Sequence, residues 1–213
     1  MGNTALKRLL LITAATIAMT VDHAYAATIV YRFDGQVFDA TLGGIPDGTP
    51  YFGSFSYETD SPNLGTIPDI GVYEYNSFQI TVGADTIFAD LSGTASGSPP
   101  RITINNTSDS LDDFIVNANP AGGSLGTYAS VLAFNVYFSG TNVFDDISLP
   151  GTDLTRGDFE FAGVSGVATL SNGVSVNFQG TVESLQAVPI PASLWLFGTG
   201  ALGLTSIARH KRA

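Results

Sequence analysis

The chain has 213 residues, a formal net charge of −11, 24 glycines, 10 prolines and no cysteine. Without cysteine it has neither disulfide staples nor thiolate chemistry, so its stability must come from a packed core, for which its length is sufficient. Nucleic acid is excluded as a partner, because so acidic a chain repels phosphate instead of releasing counterions from it.

At the start stand Lys7 and Arg8, then an apolar stretch from Leu9 to Met19, then Ala24-Tyr25-Ala26. Charge, short apolar core and small residues before a cut form the pattern of a secretory signal peptide, residues 1–26, with Ala24 and Ala26 defining cleavage. Eleven apolar residues are too few to span a bilayer. Removal of this segment and of the tail described below leaves only Arg32, Arg101 and Arg156 against 18 acids, a formal charge of −15. The domain between the ends, 27–187, also lacks His, Cys, Lys, Met and Trp.

Within that domain the apolar period is two. Ile29, Tyr31, Phe33 and Val37 alternate with Arg32, Asp34 and Gln36, and Phe55 and Tyr57 alternate with Ser54, Ser56 and Glu58. Further strands are predicted over 72–82, 85–91, 101–105, 112–117, 128–138 and 158–170. The clearest is 174–183, where Val174, Val176, Phe178, Gly180 and Val182 share one face. Clusters of Gly, Pro, Asn and Asp at 43–50, 59–71, 92–100 and 118–126 separate these runs. Ser171-Asn172-Gly173 predicts a hairpin joining 158–170 to 174–185, since Asn and Gly accept the positive φ of a primed turn. Phe159, Phe161, Val164 and Val167 do not keep one parity, which predicts a bulge near Gly163 or Gly166. Nine such strands without a long helix predict an all-β fold, an antiparallel β-sandwich or jelly roll.

The chain ends on Val188-Pro189-Ile190-Pro191-Ala192, an uncharged apolar run from Ala192 to Ala208, and a basic end with Arg209, Lys211 and Arg212. Seventeen residues make roughly 26 Å of helix, enough for a thin hydrocarbon core, so 192–208 is predicted to span a membrane. Pro189 and Pro191 keep that helix from running back into the domain. Basic residues next to both apolar ends place them in the cytoplasm and the domain on the far side. This hinge, helix and basic end, 188–213, resemble the PEP-CTERM sorting signal in its Val-Pro-Leu-Pro-Ala variant, with Val188, Pro189, Pro191, Ala192, Trp195, Phe197, Gly198 and Gly203 matching. Ile190 stands where the family's usual central glutamate would be. The resemblance implies processing by an exosortase, transient residence in the inner membrane and export in cells that make extracellular polysaccharide. Gly53-Ser54-Phe55-Ser56-Tyr57-Glu58-Thr59-Asp60, with the later Asp145-Asp146 and Leu149-Pro150, is similar to a loosely defined group of exported β domains that carry this tail.

Chemistry in the domain is narrowed by the missing side chains. Nucleophile–histidine arrangements, Schiff bases and zinc sites cannot be assembled without His, Cys or Lys. Gly198-Thr199-Gly200-Ala201-Leu202-Gly203 matches a dinucleotide fingerprint but has no strand before it and no acid after it, so its glycines are small residues of the apolar helix. Oxygen ligands remain: Asp109, Asp112, Asp113, Asp145 and Asp146 are candidates for calcium, against the simpler alternative of solvated acidic loops. Asp112, Asp113, Asp145, Asp146, Asp158 and Glu160 are candidates for a glycosidase carboxylate pair, although neighbouring acids on a strand point to opposite faces. Without Trp, stacking on sugars would have to use tyrosines such as Tyr51, Tyr73, Tyr75, Tyr128 or Tyr137, and core or edge packing is the expected role for them. The expectation is a non-enzymatic exported protein of the cell surface or extracellular matrix, structural or associated with exopolysaccharide. A polysaccharide-binding module and a carboxylate-based glycoside hydrolase are the alternatives.

Overall fold

The computed structural model describes residues 27–40, 45–91, 100–107, 111–119, 128–170 and 175–189. The signal peptide with Ala24 and Ala26, Asp109, the 171–173 turn, Ile190, Pro191, Ala192, the 192–208 helix and the basic end lie outside the described residues. Among the described residues no helix is long and apolar enough to cross a membrane.

Alternating residues build ten strands: β1 (Thr28–Ala40), β2 (Pro50–Glu58), β3 (Ile70–Tyr73), β4 (Ser77–Val82), β5 (Asp85–Phe88), β6 (Arg101–Asn105), β7 (Asp112–Ala118), β8 (Tyr128–Gly140), β9 (Phe161–Leu170) and β10 (Ser175–Pro189). All pair antiparallel in one sheet of order β3-β6-β7-β8-β9-β10-β1-β2-β4-β5. The all-β class is as the sequence predicts, and a 3₁₀ turn at Arg156–Asp158 is the one helical element among the described residues.

Connectivity alone shows that this sheet is curled. β3 is one edge and β4 lies next to the other, yet only Glu74, Tyr75 and Asn76 separate them. The step from Tyr73 to Ser77 covers at most about 14 Å of extended chain, so the two edges must approach each other. Rings from opposite walls accordingly meet inside, Phe55 of β2 with Phe114 of β7 at 5.8 Å and Phe78 of β4 with Phe134 of β8 at 5.9 Å. The same crossing corrects the predicted single strand 72–82, which is two strands with partners at opposite edges.

The interior is filled mainly by rings. Tyr31, Phe33, Tyr51, Phe55, Tyr57, Phe114, Phe134, Phe138 and Phe178 are almost wholly buried, with Ile80, Ile87, Ile102, Ile104 and Val136 between them. Stacked or tilted neighbours such as Tyr31–Phe55 at 5.5 Å and Phe134–Phe178 at 5.3 Å each contribute about 0.5–1.5 kcal/mol beyond their burial. Glycines make room for these rings. Phe178 lies over its cross-strand partner Gly166, where a Cβ would stand 2.1 Å from the ring. Phe33 covers its partner Gly53 in the same way, 2.3 Å from a Cβ there.

Gly163 and Gly166 are therefore docking points for rings, and the bulge predicted there is absent: β9 pairs without interruption from Phe161 to Val167 with β8 and from Gly163 to Thr169 with β10. Parity is mixed for a simpler reason. Phe159 precedes the strand, Phe161 and Val167 face outward, and Val164 faces in. Register shifts occur instead between Asp34 and Gly35 and between Val37 and Asp39 along β1, and in β8 between Tyr128 and Ser130 and between Val131 and Ala133.

Replacing Gly166 by Val should destabilise the protein by about 1–3 kcal/mol, because the side chain must displace Phe178 from a packed wall. Gly157→Ala, at a site whose nearest neighbour would be 3.6 Å away, should leave the urea midpoint almost unchanged. Equal midpoints for the two variants would refute the ring-over-glycine account.

Candidate functional site

One end of the curl is closed by the long segment between β8 and β9. Core tyrosines hold it: the Tyr31 hydroxyl donates to Gly151 O at 2.5 Å, Tyr57 to Pro150 O at 2.9 Å and Tyr73 to Ile147 O at 2.7 Å. Asp112, buried at the start of β7, accepts from the amides of Val143 at 2.7 Å and Phe144 at 3.0 Å. Leu154 and Phe159 complete the seal from inside the segment. Two further hydroxyls end on carbonyls elsewhere, Tyr51 on Thr181 O at 2.5 Å and Tyr75 on Asn117 O at 3.1 Å.

These contacts decide the fate of the candidate residues. Tyr51, Tyr73 and Tyr75 are buried, in the core-packing role and not available for sugar stacking. A ring enclosed on both faces has none to offer. The side chain of Tyr128 lies outside the described positions. Of the acids, Asp112 points inward and Asp113 outward, as neighbours on a strand must. Asp113 accepts from Ser139 Oγ at 2.5 Å, Asp158 from Thr155 N at 2.6 Å, Glu160 from Thr141 Oγ1 at 2.6 Å and Asp146 from Ser148 N at 2.7 Å. The Ser148 amide and hydroxyl hold the Asp146 carboxyl below its usual range. Asp145 is exposed on the segment beside it. Among the described residues no three acids or histidines gather in a way that could hold a metal. A hollow of about 240 Å³ beside Asn142, Leu154, Asp153 and Asp158 is small and shallow.

A larger groove, of about 460 Å³, runs over the outer face of β8, β9 and β10. Register places Ile115, Tyr137, Gly163, Thr181 and Gln36 in one row across five strands, and Asp113, Ser139 and Phe161 in the next. Tyr137 leans over Gly163, where a Cβ would be 2.5 Å from its hydroxyl oxygen, so its ring lies along the sheet and not upright on it. Phe161 and Phe38 stand at the groove 58% and 48% exposed, and Leu111 lines it as well. At its rim are Glu160 and Arg156, whose Nε donates to Val182 O at 2.8 Å and Nη1 to Phe159 O at 2.6 Å. Exposed rings beside the Arg156 guanidinium, the Glu160 carboxylate and the hydroxyls of Ser139 and Thr181 make a surface suited to binding.

Val188 and Pro189 of the predicted sorting motif continue β10, paired with Val30 and Ile29. β10 thus runs to Pro189, two residues past 187.

The closed end should open in alkali. Burial pushes the Tyr31 hydroxyl up to about 12, and burial raises Tyr51, Tyr57, Tyr73 and Tyr75 as well. An unfolded tyrosine ionises near pH 10, so the stabilisation is complete below about pH 10 and is lost as pH rises towards and through about 12. Thermal midpoints should be flat up to about pH 9 and fall steeply above pH 10, with tyrosinate absorbance appearing together with unfolding. Ordinary titration of all tyrosines in a protein still folded would contradict this. Compared with protein-family models, with curated proteins and with solved structures, the chain matches none.

Proposed function

We propose that this chain is an exported protein of the cell surface or extracellular matrix, delivered by a cleaved signal peptide and a PEP-CTERM-like tail that an exosortase removes, with a role in or on extracellular polysaccharide. Its domain is read as a β-sandwich whose two layers are the opposed walls of one curled sheet, and as a structural or binding element, not an enzyme. The observation that carries this reading is the pairing of Ile29 with Pro189. β1 starts two residues after Ala26, β10 ends two residues before Pro191, and both ends leave the domain side by side. Ends that lie together suit a domain tethered at first through both of them to one membrane.

A polysaccharide-binding role is favoured over a purely structural one by the exposed rings of the outer groove.

Processing is tested by mass and fluorescence. Protein recovered from the cell surface or medium should have an intact mass near that of residues 27–188 plus any attached group. It should also show no tryptophan emission, because Trp195 is the only tryptophan of the chain. A mass that includes residues 192–213 would identify the tail as a permanent anchor and overturn the sorting proposal.

A further inference from the structure

Phe38 and Phe161 are large apolar side chains at one groove, and each leaves about half of its surface in water. Folding does not need them there. Their neighbours in the strands, Val37 and Ala162, already serve the core. Between them the sheet is made flat and shallow by Gly163, which lets the Tyr137 ring lie along the strands. Polar groups line this floor: Thr181; Ser139, which keeps acceptor capacity while its hydroxyl donates to Asp113; Glu160, with one carboxylate oxygen accepting from Thr141; and Arg156, held in position by two main-chain carbonyls.

We infer that this groove binds an uncharged polysaccharide chain, with pyranose rings stacked on Phe161, Tyr137 and Phe38 and their hydroxyls bonded to the polar rim. The apolar C–H face of a pyranose matches the face of an aromatic ring, and its equatorial hydroxyls lie at the edge, where the rim groups stand. Charge selects among polymers. The domain carries −15 over residues 27–188, and among the described residues that line the groove Arg156 is the one cation, beside the acid Glu160. A polyanion would be repelled by the field of the domain, whereas a neutral glycan is unaffected by it. The groove's chemistry is independent of how the chain is exported; only the origin of the glycan outside the cell rests on the proposed function.

The test uses the full chain in a detergent without a sugar headgroup, in affinity electrophoresis through gels containing soluble neutral polysaccharides (a β-glucan, a galactomannan, a xylan) or an anionic one (alginate). At least one neutral polymer should retard the protein and alginate should not. Phe161→Ala and Phe38→Ala should each weaken binding about ten-fold or more, as loss of an anchoring ring does. Phe52→Ala and Phe88→Ala, at exposed rings outside the groove, should leave it unchanged. Because all four side chains are exposed, the variants keep the fold, which circular dichroism verifies. No retardation by any neutral polymer, retardation by alginate alone, or equal effects of all four variants would overturn the inference. So would a groove that Phe161→Ala empties of a second copy of the chain, seen as a change in sedimentation without any glycan binding. These outcomes do not depend on the mass measurement, so export and binding can fail separately.

Discussion

The structure depends on tyrosine hydroxyls that reach out of an aromatic interior to main-chain carbonyls. A sheet curled tightly enough to bring β3 near β4 has an open end, and water there would reach the rings of Tyr31, Tyr57 and Tyr73. The segment from 141 to 160 covers that end, but it has no regular structure beyond one 3₁₀ turn to satisfy its own carbonyls. Core and cover therefore need each other. Each ring brings a donor that would be costly to bury alone, and each carbonyl of Ile147, Pro150 and Gly151 accepts it. Asp112 performs the complementary task with the opposite sign, giving a buried acceptor to the amides of Val143 and Phe144.

Such a design suits a chain without cysteine. A disulfide would tie the long segment by covalent closure, whereas here it is held by several polar contacts, each worth about 1 kcal/mol and together cooperative with the core. Aromatic packing also explains the glycines inside strands. Gly53 and Gly166 would weaken an ordinary strand, yet under Phe33 and Phe178 their missing side chains let a ring settle against the backbone.

Strand positions and the buried face were legible because alternation is a local signal. Ile29, Tyr31, Phe33 and Val37 face inward as their spacing indicates, and β9 pairs with β10 as the hairpin signal indicates. What alternation cannot carry is partner choice: nothing in 72–82 marks where the chain leaves one edge of the sheet for the other. Glycine was misread for a related reason, since a bulge and a ring docked on the backbone require the same absence of a side chain. The site was partly within reach. Continuing the alternation of β1 past Val37 sets Phe38 among Arg32, Asp34 and Gln36, and the parity of β9 sets Phe161 opposite Ala162 and Val164. What the spacing does not show is how the tyrosine rings are buried: in this fold the hydroxyls of Tyr31, Tyr57 and Tyr73 end on main-chain carbonyls at the closed end.

β10 links the two regions that matter for function. Its last residue, Pro189, pairs with Ile29 where both ends leave the domain, and Thr181, eight residues earlier, lies at the groove. At about 3.3 Å per residue the strand carries the groove about 26 Å from the point of departure. On the proposed function this spacing has a consequence for the order of events. A domain still tethered by its tail would hold the groove clear of the membrane surface, so that glycan could be bound before release as well as after it. Because β10 is also the partner of β1 from Ile29 to Ala40, the strand that presents the groove is fixed along its length, and removal of the chain beyond Val188 takes away none of the described residues that line it.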